Sequence, residues 1–408
     1  MKCGLLGGKL GHSYSPQIHR QLGDYSYELL EKSPEELEET VKNPEFSGFN
    51  VTIPYKSSVI PYCDELSPIA KRLGAVNTIV RQKNGKIIGH NTDYFGFKTM
   101  LKHSGLSVSG KKVLVLGSGG ASKTAIAVLN DHGAQVVIIS RSGENNYDNL
   151  QQHEDASVIV NTTPVGMYPG TGITPICLDT FSRLEGVLDV IYNPARTQLL
   201  LDAQARGIVA VNGLLMLVAQ AKESAEWFLD TKIENCKIHE IHSLLRRQME
   251  NIVLIGMPGS GKSTVGRMLA EQLGKEFVDT DSLVVEKAGC TIPQFFAQHG
   301  EQAFRILETE VIQEIGRTSG KVIATGGGCV TTSENDPLLH QNGSIFYLQR
   351  EISKLPTDGR PLSQSNALEE LYRIRKPLYE RFADHCVNNN ESPAQAVEMI
   401  QKIWEEEK

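Results

Sequence analysis

Two glycine-rich turns in this chain have the composition to hold phosphate, and they differ in charge. Gly256-Met257-Pro258-Gly259-Ser260-Gly261-Lys262-Ser263 satisfies GxxxxGK[ST] between the apolar run NIVLI and a helical pattern that begins near Thr264. Its backbone N–H groups can wrap a polyphosphate, Lys262 can neutralise charge on the β- and γ-phosphates, and Ser263 can ligate magnesium. A lysine and a serine have no folding role at those positions, so the motif points to binding of nucleotide phosphates. Gly117-Ser118-Gly119-Gly120-Ala121-Ser122 has no such lysine-serine pair. It follows the run KVLVL and opens a helix, so its N–H groups suit the pyrophosphate of a dinucleotide, with Ser122 where the third glycine of GxGxxG would stand. The next apolar run ends in Ser140-Arg141-Ser142. NAD-binding turns place an acid there for the ribose hydroxyls, whereas a guanidinium meets a 2′-phosphate, so the turn reads as NADP-binding. The bland alternatives are a plain strand-to-helix connection and a solvated arginine.

Further polar clusters flank both turns. Ahead of the first, Ser13 and Ser15 bracket Tyr14 before Pro16, a carboxylate cradle or a simple helix cap. Lys56 closes Asn50-Val51-Thr52-Ile53-Pro54-Tyr55-Lys56, Asn77 sits in GAVNT, and Asp93 ends Asn91-Thr92-Asp93. After the second turn, Asp279-Thr280-Asp281 ends a strand-like run, and Arg305 stands one helical turn before Glu308. Gly326-Gly327-Gly328 closes KVIATGGG, while Arg360 and Arg375 lie in GRPL and RKPLY. Singly these are ordinary caps, surface pairs and turns.

The elements that must position these residues alternate. From 111 the runs KKVLVLG, AQVVIIS, VIVNTTP, GVLDVIY and IVAV are separated by helical stretches, the rhythm of a parallel sheet with crossover helices. Residues 1–93 are mixed α/β, with helices expected around 15–22 and 34–42, and a long helix at 213–229 can fold back on them. A fresh alternation starts at 251, directly after the helical KIHEIHSLLRRQMEN, so the two halves are expected to sit close together. At roughly 100–200 residues per domain the 408-residue chain has room for about two to four domains. A net charge of −7 argues against a nucleic-acid surface, and no run approaches the ~18 apolar residues of a membrane span. The seven cysteines are scattered and form no metal-ligand spacing, as expected for reduced thiols of a cytoplasmic protein.

Taken in order, the motifs of residues 1–245 resemble shikimate dehydrogenase: SxS at 13–15, NVTxPxK at 50–56, GAVNT, NTD, GxGGAS at 117–122, NTTPVGM at 161–167, DVIYNPxxT at 189–197 and GLLMLVAQA at 213–221. The resemblance implies a substrate domain formed by 1–93 and 213–245 and a Rossmann NADP domain at 94–212. It makes Lys56 and Asp93 the catalytic pair for NADPH-dependent reduction of 3-dehydroshikimate. Ser13 and Ser15 would hold the substrate carboxylate, Thr52, Asn77 and Gln220 its hydroxyls, and Tyr192 would line the pocket. Gly117, Ser118, Gly119, Gly120, Ala121, Ser140, Arg141 and Ser142 would bind NADP, with Gly213 and Met216 near the nicotinamide. Two departures stand out: GKLG precedes the HSxSP element where the family has a proline, and SRS replaces the family's NRT.

Residues 250–408 are similar to shikimate kinase, a P-loop α/β domain with a parallel sheet that phosphorylates shikimate with ATP and Mg. By that resemblance Gly256, Met257, Pro258, Gly259, Ser260, Gly261, Lys262, Ser263, Thr264 and Arg360 bind ATP, and Ser263 and Asp279 hold the metal. Asp281, Arg305, Gly326, Gly327, Gly328 and Arg375 bind the acceptor, Asp281 also serves as base, and Glu308 orients Arg305. Lys262 and Arg360 would stabilise the charge of phosphoryl transfer. Only EISKLPTDG separates FYLQR from GRPL, where relatives carry a fuller helix with an arginine over the adenine. The combined expectation is a bifunctional enzyme, monomeric or homodimeric, acting on small molecules without nucleic acid or membrane. Two alternatives stay open, a nucleotide-sensing kinase-like module and a kinase for another hydroxy acid.

Overall fold

The structure, a computed structural model, describes residues 1–11, 13–355 and 365–406. The first block runs β1 Lys2–Gly7, α1 Ser15–Leu22, β2 Ser26–Glu31, α2 Leu37–Lys42, β3 Gly48–Val51, β4 Glu65–Leu66, α3 Pro68–Leu73, β5 Thr78–Arg81 and β6 Ile87–His90. Its sheet has the order β2-β1-β3-β5-β6-β4, with β5 antiparallel to β3 and β6 and the other pairs parallel.

The second block follows through α4 Asp93–His103, β7 Lys112–Leu116, α5 Gly120–Asp131, β8 Gln135–Ile139, β9 Val158–Asn161, β10 Gly186–Asp189, α6 Gln198–Ala205 and β11 Val209–Val211. These strands form the wholly parallel sheet β11-β10-β9-β7-β8. Strands β7 and β9 are continuous apolar runs because helices cover both faces of a parallel sheet, and Val113 to Leu116 are fully buried. Helix α7, Leu214–Leu229, returns to pack on α4 and α1. Gly96 permits that approach, since a Cβ there would lie 2.7 Å from the Met216 carbonyl.

The last block begins with α8 Cys236–Met249, which runs almost directly into β12 Asn251–Ile255. It continues through α9 Lys262–Leu273, β13 Glu276–Asp279, α10 Thr280–Ala288, α11 Ile292–Gly316, β14 Lys321–Ala324, α12 Asn335–His340, β15 Gly343–Gln349, α13 Ser365–Phe382, β16 His385–Asn388 and α14 Pro393–Glu406. The sheet order is β13-β14-β12-β15-β16, all parallel. Helices α9 and α14 cover one face through Val265, Leu269, Ile400 and Trp404, and Ile312, Tyr379 and Phe382 pack in the core of the other.

The chain forms two compact units. One comprises Met1–Val165, Thr174–Tyr192 and Asp202–Leu244; the other comprises Gly166–Ile173, Asn193–Leu201 and Leu245–Lys408. The short pieces after β9 and β10 are built into the second unit by hydrogen bonds. Arg196 N–H donates to the Gln341 carbonyl at 2.8 Å, and Ala195 N–H to Asn342 Oδ1 at 2.9 Å. No helix among the described residues is long and apolar enough to cross a membrane, and all seven cysteines are unpaired.

Candidate active sites

In the first unit, element ends converge on a buried polar cluster. Lys56 follows β3, and its carbonyl accepts from Val76 N–H at 2.7 Å, which fixes its backbone beside GAVNT. Its Nζ lies 2.6 Å from Asp93 Oδ2 at the start of α4, and the two side chains keep 27% and 13% exposure. The other carboxylate oxygen accepts from Asn77 Nδ2 at 3.0 Å, and the same amide reaches Gln220 Oε1 of α7 at 3.4 Å. The amide's acceptor end is held in turn, since Asn77 Oδ1 accepts from Thr92 N–H at 2.7 Å. Lys56, Asn77, Asp93 and Gln220 therefore form one constellation, drawn from four places in the chain. Its cation retains access to solvent, as a group that passes a proton requires.

Of the other expected substrate residues, Thr52 follows β3, Ser13 and Ser15 lie at the start of α1, and Tyr192 follows β10. The Thr52 N–H donates to the Leu6 carbonyl at 2.9 Å, and its side chain is half-buried. Ser13 Oγ accepts from Ser15 N–H at 3.2 Å, Tyr14 is the N-cap of α1 and makes no side-chain cap bond, and Ser15 is buried. Tyr14 meets Tyr192 edge-on with ring centroids 6.3 Å apart, while burial, and then Tyr14, push the Tyr192 phenol above its ordinary range. Gly213 opens α7 where any Cβ would strike the Val190 carbonyl, and Met216 lies one turn further along the helix.

The first glycine turn has room for a ligand. Gly117 has φ +105°, and a Cβ on Gly119 or Gly120 would meet nothing within 4 Å. Ser122, in place of the third glycine, is buried and donates to the Gly119 carbonyl at 2.7 Å, which pins the turn from inside the helix. Ala121 sits in the first turn of α5, and Ser118 within the loop. Arg141 is exposed after β8 between Ser140 and Ser142 and forms no ion pair among the described residues. A free guanidinium beside an open glycine turn fits a 2′-phosphorylated dinucleotide.

In the second unit the GxxxxGK[ST] turn lies between β12 and α9 as expected, with Thr264 in the first turn of the helix. Lys262 Nζ donates to the carbonyls of Gly256 and Met257 at 2.9 and 3.0 Å. Ser263 Oγ donates to Asp279 Oδ2 at 2.7 Å, so a hydroxyl and a carboxylate oxygen converge at the mouth of the turn, a donor set that suits Mg²⁺. Asp279 also caps α10 by accepting from Asp281 N–H at 3.0 Å.

The glycine triplet brings the acceptor residues and this turn to one place. A Cβ on Gly326 would lie 2.5 Å from Asp281 Oδ1 and 2.8 Å from Glu308 Oε1. One on Gly327 would lie 2.7 Å from Pro258 Cδ, and one on Gly328 would strike the Arg305 guanidinium. Arg305 Nη1 donates to Glu308 Oε2 at 2.6 Å, and the Glu308 side chain is only 1% exposed. Burial pushes the Glu308 carboxyl up and Arg305 opposes that shift in part. Arg375, also buried, donates through Nη1 to the Gly327 carbonyl at 3.0 Å. Arg360 lies outside the described residues, as does His12 of the HSxSP element.

Several site-adjacent residues carried no signal in the sequence. Tyr379 donates its hydroxyl to the Gly327 carbonyl at 2.5 Å. Behind Asn77, a chain of Thr92, Ser224, Thr78 and Asn50 hydroxyls and amides is closed by Asn50 Nδ2 donating to Ser224 Oγ at 2.7 Å. The NVT, GAVNT and NTD motifs contain Asn50, Thr78 and Thr92, and Ser224 lies outside any of them.

Comparison with known proteins bears on both units. The family model described as shikimate dehydrogenase substrate binding domain matches residues 5–79, and the one for shikimate kinase matches 258–405. A shikimate dehydrogenase (NADP(+)) of Clostridium beijerinckii is 35% identical over 267 residues, which cover 60% of this chain and 98% of that protein. Among solved structures, shikimate dehydrogenase 1 of Peptoclostridium difficile is 39% identical with a TM-score of 0.55, covering 60% of this chain and 97% of its own. A chorismate mutase/shikimate 5-dehydrogenase fusion protein of Clostridium acetobutylicum is 38% identical with a TM-score of 0.58, covering 60% and 96%.

Proposed function

The chain belongs to the shikimate dehydrogenase family and carries a shikimate kinase domain over residues 258–405, and we propose that it performs two consecutive steps on one ring. The first is reduction of 3-dehydroshikimate to shikimate with NADPH, and the second is phosphorylation of shikimate by ATP with Mg²⁺. The observation that carries the first is the Lys56–Asp93 pair, 2.6 Å apart and buttressed by Asn77. The second rests on the glycine triplet, where Asp281, Arg305 and Pro258 would all meet added side chains.

In the reduction, NADPH when bound supplies the hydride, and the chain's own residues supply position and the proton. Ser13 and Ser15 anchor the carboxylate, while Thr52, Asn77 and Gln220 take hydroxyls. Lys56 Nζ faces the ketone oxygen and delivers its proton as charge develops there, with Asp93 fixing the ammonium and Asn77 fixing Asp93. Arg141, Ser140 and Ser142 would receive the 2′-phosphate of the dinucleotide, and the turn from Gly117 to Ala121 would hold its pyrophosphate. Tyr192, Gly213 and Met216 close the ring side of the pocket.

In the phosphorylation, Arg305 and Arg375 hold the carboxylate, and Asp281 accepts the proton of the attacking hydroxyl. Gly326 to Gly328 let backbone come close to the ring. Lys262 and the backbone N–H groups of the turn, which Pro258 lacks, would bear the phosphates, Ser263 and Asp279 would hold the magnesium ion, and the family resemblance gives Arg360, outside the described residues, the role of stabilising charge on the transferring group. Magnesium when bound neutralises phosphoryl charge; the rest is positioning, on which this reaction depends most. Both substrates are small molecules, and seven unpaired cysteines support a cytoplasmic setting.

The test is to incubate the full chain with 3-dehydroshikimate, NADPH and Mg-ATP. NADPH should fall and shikimate 3-phosphate should accumulate. Loss of NADPH with no phosphorylated product, even when shikimate is supplied directly, would sink the second half of the assignment.

A further inference from the structure

The phosphate turn of the second unit is gripped by two side chains that belong neither to its motif nor to the acceptor pocket. Asn389, directly after β16, donates through Nδ2 to the Ser260 carbonyl at 2.6 Å, and Arg350, directly after β15, reaches the Gly259 carbonyl through Nη1 at 3.4 Å. Asn389 is only 4% exposed, and its own N–H is held by the Gln349 carbonyl at 2.8 Å, so its backbone extends the sheet. A Cβ on Gly261 would lie 2.6 Å from Asn389 Nδ2, which packs the amide directly on the Ser260–Gly261 peptide.

The C=O and N–H of a planar trans peptide point in opposite directions. Drawing the Ser260 carbonyl toward Asn389 therefore turns the Gly261 N–H away from Asn389. That N–H has no backbone acceptor among the described residues, and Gly261, at φ +96°, leads into the unpaired first turn of α9. Such N–H groups are the ones that cradle phosphates. Three polar atoms at or against the same turn, Ser260 Oγ, Asn389 Oδ1 and Arg350 Nε, are buried without a partner among the described residues. Buried orphans are rare in a purely structural clasp, and three gathered at one phosphate turn fit a site arranged for a ligand. Arg350 also has no ion pair among the described residues, leaving its charge available beside the turn.

We infer that Asn389, supported by Arg350, is a positioning residue of the nucleotide site that aims the Gly261 N–H at the phosphates of a nucleoside triphosphate. The inference rests on the kinase reading of the second unit. It adds a determinant from the ends of β15 and β16, whereas Asp281 and the glycine triplet follow β13 and β14.

The experiment titrates the full chain and its variants with Mg-ADP by calorimetry and measures the KM values for ATP and shikimate. Asn389→Leu keeps the volume and removes the donor; binding should weaken about tenfold, the scale of one well-placed hydrogen bond. Asn389→Thr keeps a donor and should stay within about threefold of the parent, and Arg350→Ala should lose about threefold. The KM for shikimate and kcat should hold in all three. Asn389→Leu binding Mg-ADP like the parent, or Asn389→Thr falling as far as Asn389→Leu with both melting normally, would overturn the proposal. If Asn389→Leu does not fold, Asn389→Ser against Asn389→Ala repeats the comparison with smaller side chains. A parent chain that binds Mg-ADP yet does not phosphorylate shikimate removes the kinase assignment and leaves the Asn389 comparison standing, because ADP binding needs no acceptor.

Discussion

Lys56–Asp93 in the first unit and Arg305–Glu308 in the second are both cation–carboxylate contacts of 2.6 Å, yet their surroundings assign them opposite work. Asp93 uses both oxygens, one on Lys56 and one on Asn77, while its lysine remains 27% exposed. Glu308 is 1% exposed, and its second oxygen has no hydrogen-bond partner among the described residues. A lysine ammonium can release a proton, whereas a guanidinium cannot, but its planar fork matches a carboxylate. The difference teaches that contact length says little about role. What decides it is whether the cation can change protonation state and whether its carboxylate is satisfied without it.

Replacing Lys56 tests this with the largest effect. Lys56→Ala should lower the reduction rate roughly 10²–10⁴-fold, the scale of lost acid–base help, and leave phosphorylation unchanged. Lys56→Arg keeps the charge and loses the transferable proton, so it should fall by about 10²-fold or more. If Lys56→Arg retained most of the activity, the lysine would be an electrostatic anchor and the contrast with Arg305 would collapse. Steady-state NADPH consumption with 3-dehydroshikimate measures both variants.

The reciprocal replacement is milder. Arg305→Lys retains charge beside Glu308 and gives up the fork, so the KM for shikimate should rise about tenfold while kcat changes little. Arg305→Ala should do worse, because it strands a buried carboxylate at a cost of about 3–5 kcal/mol. A variant that lost kcat and kept KM would place Arg305 at the reacting atoms.

Legibility in the sequence followed the same division. Residues that act through local geometry stood out: the two glycine turns, the α1 span of 15–22, and Asp93 at the head of α4 all sit where pattern and motif put them. Several that act by reaching across the fold did not. Asn389 meets Ser260 across 129 positions, Ser224 meets Asn50 across 174, and Tyr379, although it closes RKPLY, meets Gly327 across 52 with no role read for it. A lone Asn after a strand, or a Ser or Tyr inside a helix, has no periodicity or spacing to announce it. Strand β4, only Glu65–Leu66, is too short for alternation to register, and its place comes from pairing with β6. Even the cap reading of Asp279 proved compatible with a binding role, since the side chain accepts from Asp281 N–H through one oxygen and from Ser263 through the other.

The last prediction separates stability from this contrast between a cation that titrates and one that does not. Because Arg305 stays charged, the KM for shikimate should be flat from about pH 6 to 9, and an alkaline loss of stability should trace to another group of the unit. His340 at the end of α12 is the group expected to titrate there. Its Nδ1 lies 2.9 Å from Asp336 Oδ1 and its Nε2 3.4 Å from Asp384 Oδ2. Burial alone would lower its pKa, but the two carboxylates outweigh burial and carry it from 6.5 to about 9. A group whose folded pKa is raised stabilises fully below its unfolded value and loses that contribution as pH climbs through the folded one. The second unit should therefore weaken between about pH 6.5 and 9, by an amount on the order of 3 kcal/mol at the alkaline end. Urea unfolding followed by Trp404 fluorescence in a Trp227→Phe background reads this directly, since the chain has two tryptophans. His340→Gln should flatten the slope and lower stability most at acid pH, without altering the KM for shikimate. A slope that survives His340→Gln would move the alkaline loss to another group, and a KM that shifted with it would tie His340 to the acceptor pocket.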